Sequence, residues 1–338
     1  MSNSPMWKQT IPTASRKMIG KYIIDKELGS GGFATVYLAY HCKTGEKVAI
    51  KVIERETAAD MGILTYVENE LRITSRINHP NIVHVYDIVY AQEFIYIIME
   101  YMENGDMQNF INNKFFLTQQ DQIRIAIEIL GALIYLHERG ISHRDIKPAN
   151  IMFDKDMHAR LIDFGFCREK SSNLKTVCGT QELMAPEIFL NKPYDGMKAD
   201  IWAFGITIHL LAASCFPFEY KSDFQFLHDI KSNKLKIDIK PQGIIGWLVK
   251  NSLVYDPDER ASAADMMSYI KSQENPATPN SLARLVIVKR INTEAAIARV
   301  RIHPNTPVIF RARVMNEHSG LRQKFEQRKS IKSFENVY

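Results

Sequence analysis

From Tyr22 onward, apolar and polar residues alternate through Ile24, Leu28, Val36, Leu38, Val48 and Ile50. A period of two is the mark of half-buried strands. A glycine-rich turn at Gly29, Gly31 and Gly32 interrupts the alternation. Residues 56–77 change to helical spacing, with Val67, Leu71 and Ile77 as candidate core positions. Strand patterns resume at 82–89 and 94–99. From Leu117 the chain is mostly helical in pattern, over 119–139, 198–213, 222–232, 244–253 and 261–272. A strand-rich first third followed by helices predicts an α+β architecture, with the boundary near Asn104-Gly105. Residues 1–21 lack periodicity and read as a flexible lead-in. After Ser272 the texture changes at Asn275-Pro276-Ala277-Thr278-Pro279-Asn280. Apolar runs at 285–288, 295–300 and 307–314 follow, with Arg and Lys interleaved.

Length and charge narrow the picture. The chain has 338 residues, enough for one two-lobed unit of about 250 residues with extensions. Net charge is +5. Residues 272–338 hold twelve Lys/Arg against five Asp/Glu, about +7, which leaves about −2 for residues 1–271. The basic excess therefore belongs to the tail, and direct nucleic-acid binding by the body is not expected. Cysteines 42, 167, 178 and 215 have no CxxC spacing, so neither a zinc site nor a disulfide framework is expected. A reducing compartment follows, cytoplasmic with the nucleus open. The polar N-terminus has no apolar core of a secretory signal. Residues 201–218 form an uncharged run that reaches spanning length, but a buried central helix accounts for it better.

The candidate chemistry is concentrated in His143-Arg144-Asp145-Ile146-Lys147-Pro148-Ala149-Asn150, followed by Asp163-Phe164-Gly165. Upstream lie Val48-Ala49-Ile50-Lys51, read as a strand that ends at the lysine, and Gly29-Ser30-Gly31-Gly32-Phe33-Ala34-Thr35-Val36. Phosphoryl transfer from ATP needs a carboxylate beside the attacking hydroxyl, a lysine on the phosphates and oxygen ligands for magnesium. On these motifs, residues 22–271 resemble a eukaryotic-type serine/threonine protein kinase. The resemblance implies a bilobal kinase fold, with a small β-rich N-lobe, a larger α-helical C-lobe and an ATP cleft between them.

It also implies roles. Asp145 would orient or accept the substrate hydroxyl proton, and Lys147 would neutralise the γ-phosphate. Asn150 and Asp163 would hold Mg2+. Lys51 would bind the α- and β-phosphates, paired with Glu70 in preference to Glu68, which lies about 200° around the helix. Gly29, Gly31 and Gly32 would cover the phosphates, with Ala34 in place of a third glycine. Val36, Ala49 and Met152 would sandwich adenine. The segment Met99-Glu100-Tyr101-Met102 would meet its edge through the backbone, with Met99 at the rear of the pocket. Asp106 would lie at the mouth of the site and could meet an arginine upstream of the target residue. The other acidic positions used by basophilic kinases are Ala149 and Leu210 here, so any basic preference should be shallow.

The segment from Asp163 to Glu187 resembles an activation segment. Thr176 would be a regulatory phosphorylation site facing Arg144, through itself or an upstream activating kinase. Lys147 together with Thr180 points to serine or threonine hydroxyls in protein substrates. Glu187 and Arg260 resemble a buried ion pair. Three departures stand out. Gln181 and Leu183 replace the common Pro and Tyr after Thr180. Thr74 joins Val85, His143 and Phe164 in a stack where an apolar residue is usual. The group resemblance is to the calmodulin-dependent/AMP-activated and cyclic-nucleotide-dependent kinases. A non-catalytic scaffold would lack Lys51, Asp145, Asn150 or Asp163, and none is lacking. In the tail, Arg290 stands three residues before Thr293, so a regulatory contact there competes with a merely solvated extension.

Overall fold

The computed structural model describes residues 18–273 apart from 32, 33, 63, 116, 177, 191 and 221. Gly32, the lead-in before Met18 and the basic tail with Thr293 lie outside the described residues.

Six strands form one antiparallel sheet: β1 (Met18–Ile19), β2 (Tyr22–Ser30), β3 (Ala34–His41), β4 (Lys47–Glu54), β5 (Val85–Tyr90) and β6 (Phe94–Glu100). Their spatial order is β1-β2-β3-β4-β6-β5. Between β4 and β5 lie α1 (Arg55–Asp60) and α2 (Leu64–Thr74). The sheet face toward these helices buries Ile53, Ala58, Val67, Leu71, Ile95 and Ile97 in one cluster. The sequence pattern placed a single helix over 56–77. Gly62, at φ 67°, breaks it after α1, a conformation that glycine adopts without steric cost. Lys51 does not end its strand either. Val52 and Ile53 continue the alternation, Ile53 is wholly buried, and β4 runs on to Glu54.

The second half is helical: α3 (Met107–Asn112), α4 (Gln119–His137), α5 (Gly196–Ala213), α6 (Asp223–Lys231), α7 (Gly243–Ser252) and α8 (Ala263–Gln273). Short strand pairs sit between α4 and α5. They are β8 (Ile151–Phe153) with β9 (Ala159–Leu161), and β7 (Ile141–Ser142) with β10 (Arg168–Glu169). Together these elements form a small sheet lobe and a larger helical lobe, the arrangement that the resemblance implies. Helix α4 starts in a capping box, in which Thr118 accepts from the Asp121 N–H at 3.1 Å and Asp121 accepts from the Thr118 N–H at 3.1 Å. Helix α5 carries apolar residues all round, and Ile201, Trp202, Phe204, Ile206 and Ile208 are all buried. Such a helix must lie at the centre of a core. It stops at Ala213, where Ser214 turns left-handed at φ 54°. Among the described residues, no helix is long and apolar enough to cross a membrane.

One ion pair closes the helical lobe. Arg260 donates to Glu187 at 2.8 and 3.0 Å, and also to the carbonyls of Val254 at 3.0 Å and Lys198 at 2.6 Å. Its side chain has no solvent exposure. Removing one partner strands a buried charge, whereas removing both does not. Arg260→Leu should therefore lose about 3–5 kcal/mol of stability in denaturant titration. The double variant Glu187→Leu/Arg260→Leu should lose clearly less than Arg260→Leu alone.

Candidate active site

The sheet register sets the upper wall. Val36 pairs with Lys51, which pairs with Ile97, while Ala49 pairs with Met99. Lys51 donates to both Glu70 oxygens, at 2.8 and 2.9 Å, and both side chains are largely buried. Glu68, the rejected alternative on α2, is exposed. Burial works against the Lys51 ammonium, but the Glu70 and Asp163 carboxylates outweigh it and raise its pKa. Burial, with the Asp163 charge, pushes the Glu70 carboxyl up against the pull of Lys51. Burial opposes the Asp163 carboxylate too, yet Lys51 and the Gly165 N–H hold its pKa below the usual range. A lysine bracketed by two carboxylates stays charged, and phosphate oxygens would find a fixed cation there.

The lower wall comes from the loop after β7. Asp145 is 5% exposed. Lys147 Nζ donates to its Oδ2 at 2.7 Å, and Asn150 Nδ2 donates to the same oxygen at 2.9 Å. Thr180 Oγ1 lies 3.4 Å from both Asp145 Oδ1 and Lys147 Nζ. Three side chains of one loop and Thr180, at least thirty residues further along the chain, share one spot. Asn150 commits its Nδ2 to Asp145, which leaves Oδ1 for a cation, and Asp163 supplies a buried carboxylate. Oxygen donors of this kind suit Mg2+, which takes most of its remaining ligands from water and phosphate. No cluster of three or more His, Cys, Asp or Glu side chains suited to a metal occurs among the described residues.

A buried carboxylate holds this loop in place. Asp200, on α5, accepts the N–H of His143 at 2.8 Å and of Arg144 at 2.7 Å. His137 Nε2 lies 3.0 Å away. Arg144 and Asp163 both have left-handed backbones, at φ 69° and 64°, which side-chain-bearing residues adopt only under constraint. His143 Nε2 donates to the Ile162 carbonyl at 3.1 Å while its Nδ1 accepts from the Asp145 N–H at 3.3 Å. Burial lowers its pKa, so the ring is the neutral Nε-protonated form. Its edge meets Phe164 at 5.1 Å between centroids. Thr74, expected as the polar member of that stack, is buried and satisfies its hydroxyl on the Glu70 carbonyl at 2.7 Å. No outside partner is needed for that hydroxyl.

Other expected positions fall as follows. Gly29 pairs with Val36 across the hairpin, and the Gly31 N–H donates to the Ala34 carbonyl at 2.8 Å. Met152 lies on β8 and Met102 is buried. The Glu100 N–H donates to the His84 carbonyl at 2.9 Å, so only its carbonyl could meet a base. Its side chain pairs with Arg160 at 3.3 Å. Asp106 caps α3, accepting from the Asn109 N–H at 2.8 Å and from Asn109 Nδ2 at 2.7 Å. Each oxygen accepts one bond there, which leaves further acceptor capacity on the carboxylate. Arg144 meets the Thr176 main-chain carbonyl at 2.7 Å rather than its side chain. Sequence reasoning missed His137, Arg160 and Tyr194, since lone residues in loops or on mixed faces carry no spacing signal.

A sequence model described as the protein kinase domain matches residues 22–270. The chain belongs to the protein kinase family. It is similar to serine/threonine kinases in particular. CBL-interacting protein kinase 11 of Oryza sativa subsp. japonica is 34% identical over 206 residues, covering 60% of this chain and 41% of that protein. CBL-interacting serine/threonine-protein kinase 20 of Arabidopsis thaliana is 30% identical over 275 residues, covering 78% and 62%. Serine/threonine-protein kinase SIK1 of Rattus norvegicus is 31% identical, covering 76% and 33%. The kinase thus spans between about a third and three fifths of the length of these curated relatives. Protein kinases as a family use ATP and Mg2+.

The Lys51 cluster makes a pH-dependent prediction. In Lys51→Met, Glu70 and Asp163 lose the cation between them in a buried site, and the more distant Lys147 does not replace it at Glu70, so the folded-state pKa values rise, Glu70 above its unfolded value most of all. Carboxylates with raised pKa values destabilise above those values and cease to do so once protonated. The variant should melt well below wild type at pH 7, by about 3–5 kcal/mol in stability. The gap should narrow as pH falls toward 5. Thermal melts of both proteins across that range check it.

Proposed function

We propose that the protein is an ATP-dependent protein kinase that phosphorylates serine or threonine hydroxyls of protein substrates. The observation that carries this reading is the convergence of Asp145, Lys147, Asn150 and Thr180 on one spot, beneath a Lys51–Glu70 pair with Asp163 close by. Asp145 orients the substrate hydroxyl and takes its proton. Lys147, 2.7 Å from that carboxylate, meets the γ-phosphoryl group as charge develops on its oxygens. Lys51, held by Glu70, positions the α- and β-phosphates. Asn150 and Asp163 would hold Mg2+, which neutralises phosphate charge. Gly29, Gly31, Ala34 and Val36 cover the nucleotide. Ala49, Met99, Met102 and Met152 enclose the base, with the Glu100 carbonyl at its edge.

Phosphorylation of Thr176 is proposed to raise activity through Arg144. The four cysteines are free, which supports a reducing cytoplasmic or nuclear setting. Two relatives are named for interaction with CBL, and a regulatory protein partner for this chain is an inference from those names alone.

Two variants test the reading. Asp163→Asn should stay folded and lose magnesium-dependent transfer to a serine or threonine peptide by about 10²-fold or more. Near-normal transfer by the folded variant would refute the role. Thr176→Ala should fall behind wild type after both are incubated with ATP and an activating kinase. Equal rates, with phosphate confirmed on wild-type Thr176, would remove Thr176 from the account.

A further inference from the structure

The segment leading to Thr180 is fastened at one place by two independent sets of bonds. Leu174 and Tyr194 form a two-way backbone bridge, each N–H donating to the other's carbonyl at 2.9 Å. Two residues later, the Thr176 carbonyl accepts from the Tyr194 hydroxyl at 2.8 Å and from Arg144 Nη2 at 2.7 Å. One main-chain oxygen therefore joins the activation segment, the loop bearing Asp145 and the loop before α5. Tyr194 is 5% exposed. Burial pushes its phenol up to about 12, so the hydroxyl remains a donor at any working pH.

The same arginine also indexes the end of the segment. Gly179, at φ 104°, lies so close to the Arg144 carbonyl that a Cβ there would come within 2.8 Å of it. Thr180 follows, with its hydroxyl beside Asp145. Arg144 thus bonds the segment at 176 by its side chain and lies close against it at 179 by its backbone. Among the described residues its buried Nε has no hydrogen-bond partner, so the carbonyl does not exhaust the guanidinium.

We propose that Tyr194 is a positioning residue that keeps the substrate platform at 176–180 in register before Thr176 carries a phosphate, and that the phosphate takes over this task through Arg144. The proposal rests on the kinase reading above. Its physical content is a population: without the Tyr194 hydroxyl, fewer molecules hold the platform in the competent arrangement. A substrate that binds only that arrangement shows a weaker apparent affinity in proportion to the lost fraction, while saturated turnover is kept. One buried hydrogen bond of ordinary strength sets the scale at about fivefold.

The test compares full-length wild type and Tyr194→Phe, each prepared with Thr176 unphosphorylated and again with it phosphorylated, as verified by mass. The variant keeps the buried ring and loses only the hydroxyl. In the unphosphorylated pair, the peptide KM should rise about fivefold with kcat and the KM for ATP unchanged. Amide exchange over residues 171–180 should quicken, while exchange in α5 holds. In the phosphorylated pair the KM ratio should shrink toward one. Equal KM and equal exchange in the unphosphorylated pair would overturn the proposal. So would a KM penalty that phosphorylation leaves unchanged, since that marks a purely structural role. If wild type phosphorylates no peptide, the kinase reading fails by itself, and the exchange comparison still decides whether Tyr194 holds the segment.

Discussion

The site depends first on one buried carboxylate. Asp200 is 1% exposed, and a bare charge there would be prohibitive. It is stable because it accepts the N–H groups of His143 and Arg144 and has His137 beside it. The bonds run both ways in effect. They satisfy the charge, and they hold Arg144 in a left-handed backbone that it would otherwise leave. With residues 143 and 144 fixed to α5, the direction of Asp145 is fixed as well. The central helix is thus the foundation of the candidate chemistry, and its all-round burial gives it the rigidity that role needs.

A second charge cluster joins this base to the sheet. Lys51 on β4 meets Glu70 on α2 directly and feels Asp163 from the helical lobe. Three elements from two lobes therefore share one set of opposed charges. Breaking any member leaves another buried and unbalanced, which makes the arrangement cooperative. On α2 the buried Thr74 hydroxyl finds its acceptor within the helix itself. Such back-bonding is a local solution that requires nothing beyond α2.

Much of this was legible in the chain because it rests on fixed spacing. The alternation from Tyr22 to Ile50 announced the sheet, and the helical periods over 119–139 and 244–253 lie within a few residues of α4 and α7. The catalytic-loop residues were legible because six of eight consecutive positions carry specific chemistry. What was not legible has physical causes. A six-residue helix such as α3 is too short to show a period, and only Asp106 as its cap betrays it. The break at Gly62 depends on a backbone angle. The bonds from Tyr194 and Arg144 to one carbonyl depend on main-chain placement, which side-chain patterning does not encode. The capping duty of Asp106 appears only once α3 is folded.

The central claim is that Asp200 places Asp145 for chemistry without taking part in it. Asp200→Asn keeps the size of the side chain but sets an amide against two N–H donors. The decisive measurement is single-turnover phosphotransfer by this variant, beside its affinity for Mg-ATP. The account predicts a fall of about 10²-fold in transfer, the scale of an ångström-sized misplacement, with nucleotide affinity close to wild type because Lys51 and Glu70 are untouched. Wild-type transfer by the folded variant would contradict the claim.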